Sequence, residues 1–163
     1  MIYFALAGVL VAMDQATKWY MTDLLPLCRV GQCESIEILP VARFVLVHNE
    51  GASFSFLADA GGWQRWFLVV VSTVVSAAIA VWLYRIRRSE KLLALSLAFI
   101  LGGAIGNLVD RASLGYVVDF ISLYYESWYF PVFNLADTAI SVGAALLILD
   151  MLIGPGEERL VEN

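Results

Sequence analysis

The chain has 163 residues, 61% of them hydrophobic and 15% charged, with a formal net charge of −5. A soluble domain is nearer half apolar, so this composition, with a mean hydropathy of +0.78, indicates a membrane protein of a few spans forming one domain. The acidic balance excludes the basic face that a nucleic acid requires, and one histidine with two cysteines is too sparse for a closed structural zinc site.

Ile2–Met21 is the first expected span. No basic n-region or small-residue cleavage motif precedes Asp14-Gln15, so it reads as a retained helix rather than a removed signal peptide. Asp14 and Lys18 are four apart and share a helix face. They pair with each other, or one turns into the bundle, or Lys18 and Trp19 snorkel toward headgroups. Asp23–Gly62 is the least hydrophobic long segment, punctuated by Pro26, Gly31, Pro40 and Gly51. Within it, Ala42–Phe56 predicts one or two strands, with Phe44, Leu46 and His48 on one face and Val45, Val47 and Asn49 on the other. Free strand edges cannot sit in lipid, so this segment belongs outside the bilayer or against the helices. Cys28 and Cys33 either close a small disulfide on an oxidising side or stay free thiols.

Trp66–Tyr84 is the second expected span; at ~1.5 Å per residue it approaches the ~30 Å of hydrocarbon. Arg85, Arg87, Arg88 and Lys91 follow at once, which marks that loop as cytoplasmic. Leu92–Val109 is the third span, its end rich in Gly102, Gly103, Ala104 and Gly106, residues that let helices approach closely. Val132–Ile153 is the fourth, with Pro131 in its first turn and Gly154-Pro155-Gly156 as its stop. Four spans then put both termini in the cytoplasm. The two polar segments, with aromatic residues such as Trp19, Trp63, Trp66, Tyr125 and Trp128, fall at the far interface.

In this topology Asp14, Lys18, Asn49, Asn107, Asp110, Arg111, Asn134 and Asp137 come to one level. Ionisable groups in such apolar surroundings mark a working site or a structural ion pair. Asp110 beside Arg111 suits an ion pair. Asp119 and Asp137 lie on different elements; if they meet in a site of low dielectric they share one proton, the arrangement by which two aspartates activate water against a peptide bond. A proton or ion path would use the same carboxylates but needs polar groups along the inner half, where Ser72, Thr73, Ser76 and Ser96 are nearly all there is. A non-catalytic scaffold would tolerate carboxamides in their place. No Gly-x-Ser-x-Gly, His-Glu-x-x-His or P-loop pattern occurs.

Five blocks carry a wider likeness: Asp14-Gln15-Ala16-Thr17-Lys18, Asn49-Glu50-Gly51-Ala52-Ser53-Phe54-Ser55, Gly106-Asn107-Leu108-Val109-Asp110-Arg111, Val117-Val118-Asp119-Phe120 and Phe133-Asn134-Leu135-Ala136-Asp137. In order and spacing the chain resembles the bacterial lipoprotein signal peptidases (signal peptidase II). The resemblance implies a mainly α membrane protein, a four-helix bundle with a small extracytoplasmic β cradle over about 36–57 and a mobile helix or loop around Leu123–Phe130. It implies a monomeric inner-membrane aspartic endopeptidase, needing no cofactor, that cleaves lipid-modified prolipoproteins before the diacylglyceryl cysteine. Asp119 and Asp137 match the family's catalytic pair. Asp14, Lys18, Asn49, Gly51, Asn107, Asp110, Arg111 and Asn134 match its supporting residues. Ser53 stands where the family usually has Ala, and the Leu27–Ser35 piece is longer than usual.

Overall fold

The long apolar runs become helices, and the polar segments between them meet as a small sheet. The computed structural model describes residues 1–29, 32–51 and 63–153. Its elements are α1 (Ile2–Leu24), β1 (Ile36–Leu39), β2 (Ala42–Asn49), α2 (Trp63–Ile86), α3 (Lys91–Ser113), β3 (Val117–Tyr125), β4 (Trp128–Tyr129) and α4 (Leu135–Ile153). Among the described residues α2, α3 and α4 are long and apolar enough to cross a membrane. α1 matches them in length but carries Asp14, Gln15 and Lys18 and is not among them.

α3 is the central helix, packed against α1, α2 and α4. Leu93, Ala94, Leu97, Ala98 and Leu101 form a core with Ala7 of α1 and Leu83 of α2. Its glycines allow this. A Cβ at Gly103 would run into the Ala136 carbonyl of α4, and one at Gly106 would lie 2.6 Å from Asp14 Oδ2 of α1. Among the described residues nothing covers the outer side of α2: Trp66, Val70, Val74 and Trp82 are exposed. Such a face is an adhesive patch in water and is satisfied by lipid.

The sheet is antiparallel in the order β1-β2-β3-β4. Phe44 opposes Ile121 but Val47 opposes Asp119, so β2 holds one extra residue between these pairs, a β-bulge. The bulge overturns the expected alternation: Val45 and Leu46 are both buried. It also decides what faces the site. Beyond it, Val47 and Asn49 share the face of Asp119; in an unbroken register Leu46 and His48 would.

Other expectations are corrected. β3 is a strand that the sequence pattern does not announce, and α3 continues past Val109 to Ser113. Leu123–Phe130 is neither helix nor loop but most of a hairpin: the chain turns at Glu126 (φ 53°) and β4 returns along β3, with Tyr124 stacked on Tyr129. Aromatic residues favour such cross-strand pairs. Pro131 lies ahead of α4, which starts only at Leu135 because Asn134 caps it and Phe133 still bridges Ile121. Of the two alternatives open for Cys28 and Cys33, the structure has the disulfide. The stop at Gly154-Pro155-Gly156, the tail and Ala52–Leu57 lie outside the described residues.

Candidate active site

Asp119 sits on β3 and is 2% exposed. Its diagonal neighbour across the strand pair, Asn49 on β2, donates Nδ2 to Asp119 Oδ2 at 3.0 Å. The Asn49 Oδ1 accepts the Gly51 N–H at 3.1 Å, which orients the amide and ends the strand in a turn. Asn134 Nδ2 donates to the other oxygen, Asp119 Oδ1, at 2.7 Å.

Asn134 links this strand to the helix. As N-cap of α4, its Oδ1 accepts the Asp137 N–H at 3.0 Å, and Asp137 Oδ2 accepts the Asn134 N–H at 3.2 Å. This is a reciprocal capping box with Asp in the fourth place. One asparagine therefore bonds both candidate catalytic residues. Asp137 Oδ1 accepts Asn107 Nδ2 from α3 at 2.8 Å.

Behind Asn107 lies Lys18, 3% exposed. Its ammonium donates to Asn107 Oδ1 at 2.9 Å and pairs with Asp14 Oδ2 at 2.8 Å and Asp110 Oδ2 at 2.9 Å. An ammonium only donates, so it holds the Asn107 carbonyl toward itself and leaves the Asn107 NH₂ facing Asp137. Asp14 Oδ1 accepts the Ala136 N–H of α4 at 2.9 Å, and Asp110 Oδ2 accepts the Val118 N–H of β3 at 3.0 Å. Lys18 does not snorkel; it is the centre of a buried knot joining α1, α3, α4 and β3. Asp110 pairs with Lys18 and not with Arg111, because successive helix residues point about 100° apart. Gln15 was missed as a site residue. Its Nε2 reaches Asp110 Oδ1 at 2.8 Å, Gly106 O at 3.1 Å and Asp14 Oδ2 at 3.2 Å, contacts that no spacing rule signals.

A cleft of about 530 Å³ opens beside this knot. Asp119, Asp137, Asn49, Asn107 and Arg111 form its polar side; Val117, Leu123, Phe130, Pro131, Val132, Phe133 and Ile140 form its apolar side. Arg111 Nη2 approaches the Gly51 carbonyl at 3.4 Å. Asp14, Lys18, Asp110 and Asn134 support the cleft from behind without lining it. Burial pushes the Asp119 carboxyl from its ordinary 3.8 up to about 7; the Asp137 charge adds to the rise, while the Asn49 and Asn134 amides and the Lys18 charge oppose it. Among the described residues no three His, Cys, Asp or Glu side chains gather as a metal-holding group.

A family model described as signal peptidase (SPase) II matches residues 6–153. The chain belongs to that family. Lipoprotein signal peptidases of Alteromonas mediterranea and Pseudomonas syringae pv. tomato are each 48% identical to it, over 98% and 90% of this chain and 82% and 83% of their own lengths. A solved structure described as a bacterial membrane enzyme, determined by the in meso method at 2.3 Å resolution, superposes with a TM-score of 0.78 at 25% identity, covering 93% of this chain and 87% of that one. Signal peptidase II is a protease, and with its apolar helices this chain is a membrane-bound hydrolase.

Proposed function

We propose that this signal peptidase II is an intramembrane aspartic endopeptidase. Its substrate is a diacylglyceryl-modified prolipoprotein, cut at the bond preceding the lipidated cysteine, with Asp119 and Asp137 as the catalytic pair. The observation that carries the reading is the cleft itself: two carboxyls from different elements, bridged by Asn134, line one cavity together with many apolar side chains.

The chemistry follows from the surroundings. Asp137 accepts two N–H donors at the positive end of α4, a setting for negative charge. Asp119, raised to about 7, holds the shared proton. Asp137 takes a proton from water as the water oxygen bonds to the scissile carbonyl carbon, and Asp119 gives its proton to the carbonyl oxygen. The tetrahedral diol collapses as the C–N bond breaks; the leaving nitrogen receives the proton from Asp137, and Asp119 regains one from a diol hydroxyl. No step needs a metal or cofactor. The acyl chains lie along the apolar side, beside Leu123, Phe130 and Ile140.

In this reading the chain is one integral unit of four spans in the bacterial inner membrane. The Arg85–Lys91 loop and both termini are cytoplasmic and the sheet is extracytoplasmic, where Cys28–Cys33 stays oxidised. In this reading the protein works as a monomer. Cleavage of a lipidated precursor peptide by purified protein tests the pair. D119N and D137N should each lose turnover by about 10³-fold or more while still inserting and folding. Wild-type cleavage by either variant rejects the dyad.

A further inference from the structure

Arg65 stands in the first turn of α2, at the positive end of that helix dipole, and in the proposed topology on the side of the membrane that loop arginines avoid. Something must offset that placement, and the structure shows what. Arg65 Nε donates to the Arg111 carbonyl at 3.0 Å and Nη2 to the Ala112 carbonyl at 2.7 Å. Both carbonyls belong to the last turn of α3, where no intrahelical donor remains and the dipole is negative. The guanidinium carbon also lies 5.1 Å from the centre of the Trp66 ring, a cation–π distance.

The fork grips the corner from which the site is hung. Arg111, whose carbonyl it holds, lines the cleft. Two residues after Ser113, Gly115 turns the chain with φ 91°; a Cβ there would lie 3.1 Å from Arg65 Nη1 and 3.4 Å from its Cδ. β3 starts at Val117 and presents Asp119. α2 packs on α3, and Arg65 gives its first turn a polar hold on the catalytic end. We propose that Arg65 is a positioning residue for hydrolysis: by fixing the α3–β3 corner it aims Arg111 and sets Asp119 against Asp137. The inference rests on the proposed dyad.

The test uses the purified full chain in detergent with a lipidated precursor peptide. In R65A, kcat should fall on the order of 10²-fold, the cost of a small misplacement of reacting groups. KM and the thermal midpoint should stay near wild type. Added guanidinium ion should restore part of the loss in R65A and nothing in D119N. R65K, able to reach one carbonyl but not to fork, should fall between. Wild-type kcat in R65A, or a loss that tracks the unfolded fraction and ignores guanidinium, overturns the proposal. If R65A does not fold, R65K decides, and wild-type kcat there overturns it equally. Turnover by D119N would sink the dyad itself; an intact R65A beside a dead D119N sinks only the role of Arg65.

Discussion

The Lys18 knot and the Asp119–Asp137 cleft are neighbours built from the same residue types, and they differ in what is left unbound. Each of the three Lys18 protons has an acceptor, in Asp14, Asp110 and Asn107, and both carboxylates also accept a backbone N–H from a different element. Neither Lys18 nor its two carboxylates line the cleft. Asp119 and Asp137 accept their amides from one side and turn toward a cleft on the other. The saturated group spends its charge on holding four elements together; the open group keeps its charge for a visitor. Carboxylates in a membrane protein are thus separable by counting their bonds, without reference to depth.

The widest separation of the two comes from disabling each in turn. The Asp→Asn variants of the cleft should lose chemistry and keep the fold. Lys18→Met should do the reverse first: two buried carboxylates lose their counter-charge, a change that costs about 3–5 kcal/mol. Thermal denaturation in detergent should show K18M strongly destabilised, and its residual activity should fall further because the Asn107 amide is free to flip away from Asp137. A K18M protein that melts like wild type would mean the knot is not structural.

Asn49 lies between the extremes, since it touches Asp119 and also faces the cleft. Asn49→Ala removes one hydrogen bond to a carboxyl, worth about 1.5–3 kcal/mol, which in the transition state means roughly 10- to 100-fold in kcat. Inserting one residue between Val47 and His48 should be as damaging, because His48 would then stand opposite Val117, in the place Asn49 holds beside Asp119. If that insertion leaves cleavage intact, the register of β2 does not aim the site.

These cases show what could be read in advance. The spans were legible because α2, α3 and α4 are nearly unbroken apolar runs with a basic loop between the first two. β3 was not: Val117, Val118, Asp119 and Phe120 are all buried, so the strand lacks a period of two. Its hairpin turns at Glu126 with positive φ, where no glycine or asparagine announces it. The bulge hid behind a β2 whose residues alternate plausibly in either register. The meeting of Asp119 and Asp137 is invisible to spacing, as they lie on separate elements; only the five family blocks anticipated it. The Asp110–Lys18 pair was missed because adjacency in sequence suggested Arg111, and a helix places adjacent residues on different faces.

Acidity sharpens the contrast more gently. The folded carboxyl of Asp119 titrates at about 7 against 3.8 when free, so the folded protein binds the extra proton between those values. Its stabilising contribution is complete below about pH 4 and is lost as pH rises through about 7. D119N cannot lose a proton, so its melting temperature should gain on wild type between about pH 4 and 7. In the same range kcat/KM of the wild type should decline on its basic side near pH 7, as the proton donor disappears. The apparent value belongs to the pair and not to Asp119 alone. Parallel melting curves for wild type and D119N at every pH would remove the argument for Asp119 as the proton holder.

The smallest expected effect concerns Cys28–Cys33. The bridge closes a loop of sequence separation 5, so its loss relaxes the unfolded chain by about 2 kcal/mol at most. The stapled piece also touches the site's frame: Cys28 N–H donates to the Leu46 carbonyl at 2.8 Å, at the bulge. That bulge is held independently by β3, which pairs on both sides of it. The double variant C28S/C33S should therefore melt a few degrees lower and cleave within about threefold of wild type, a difference of under 1 kcal/mol in the barrier. A drop of tenfold or more at an unchanged melting temperature would show that the disulfide, and not β3, keeps Asn49 turned toward Asp119.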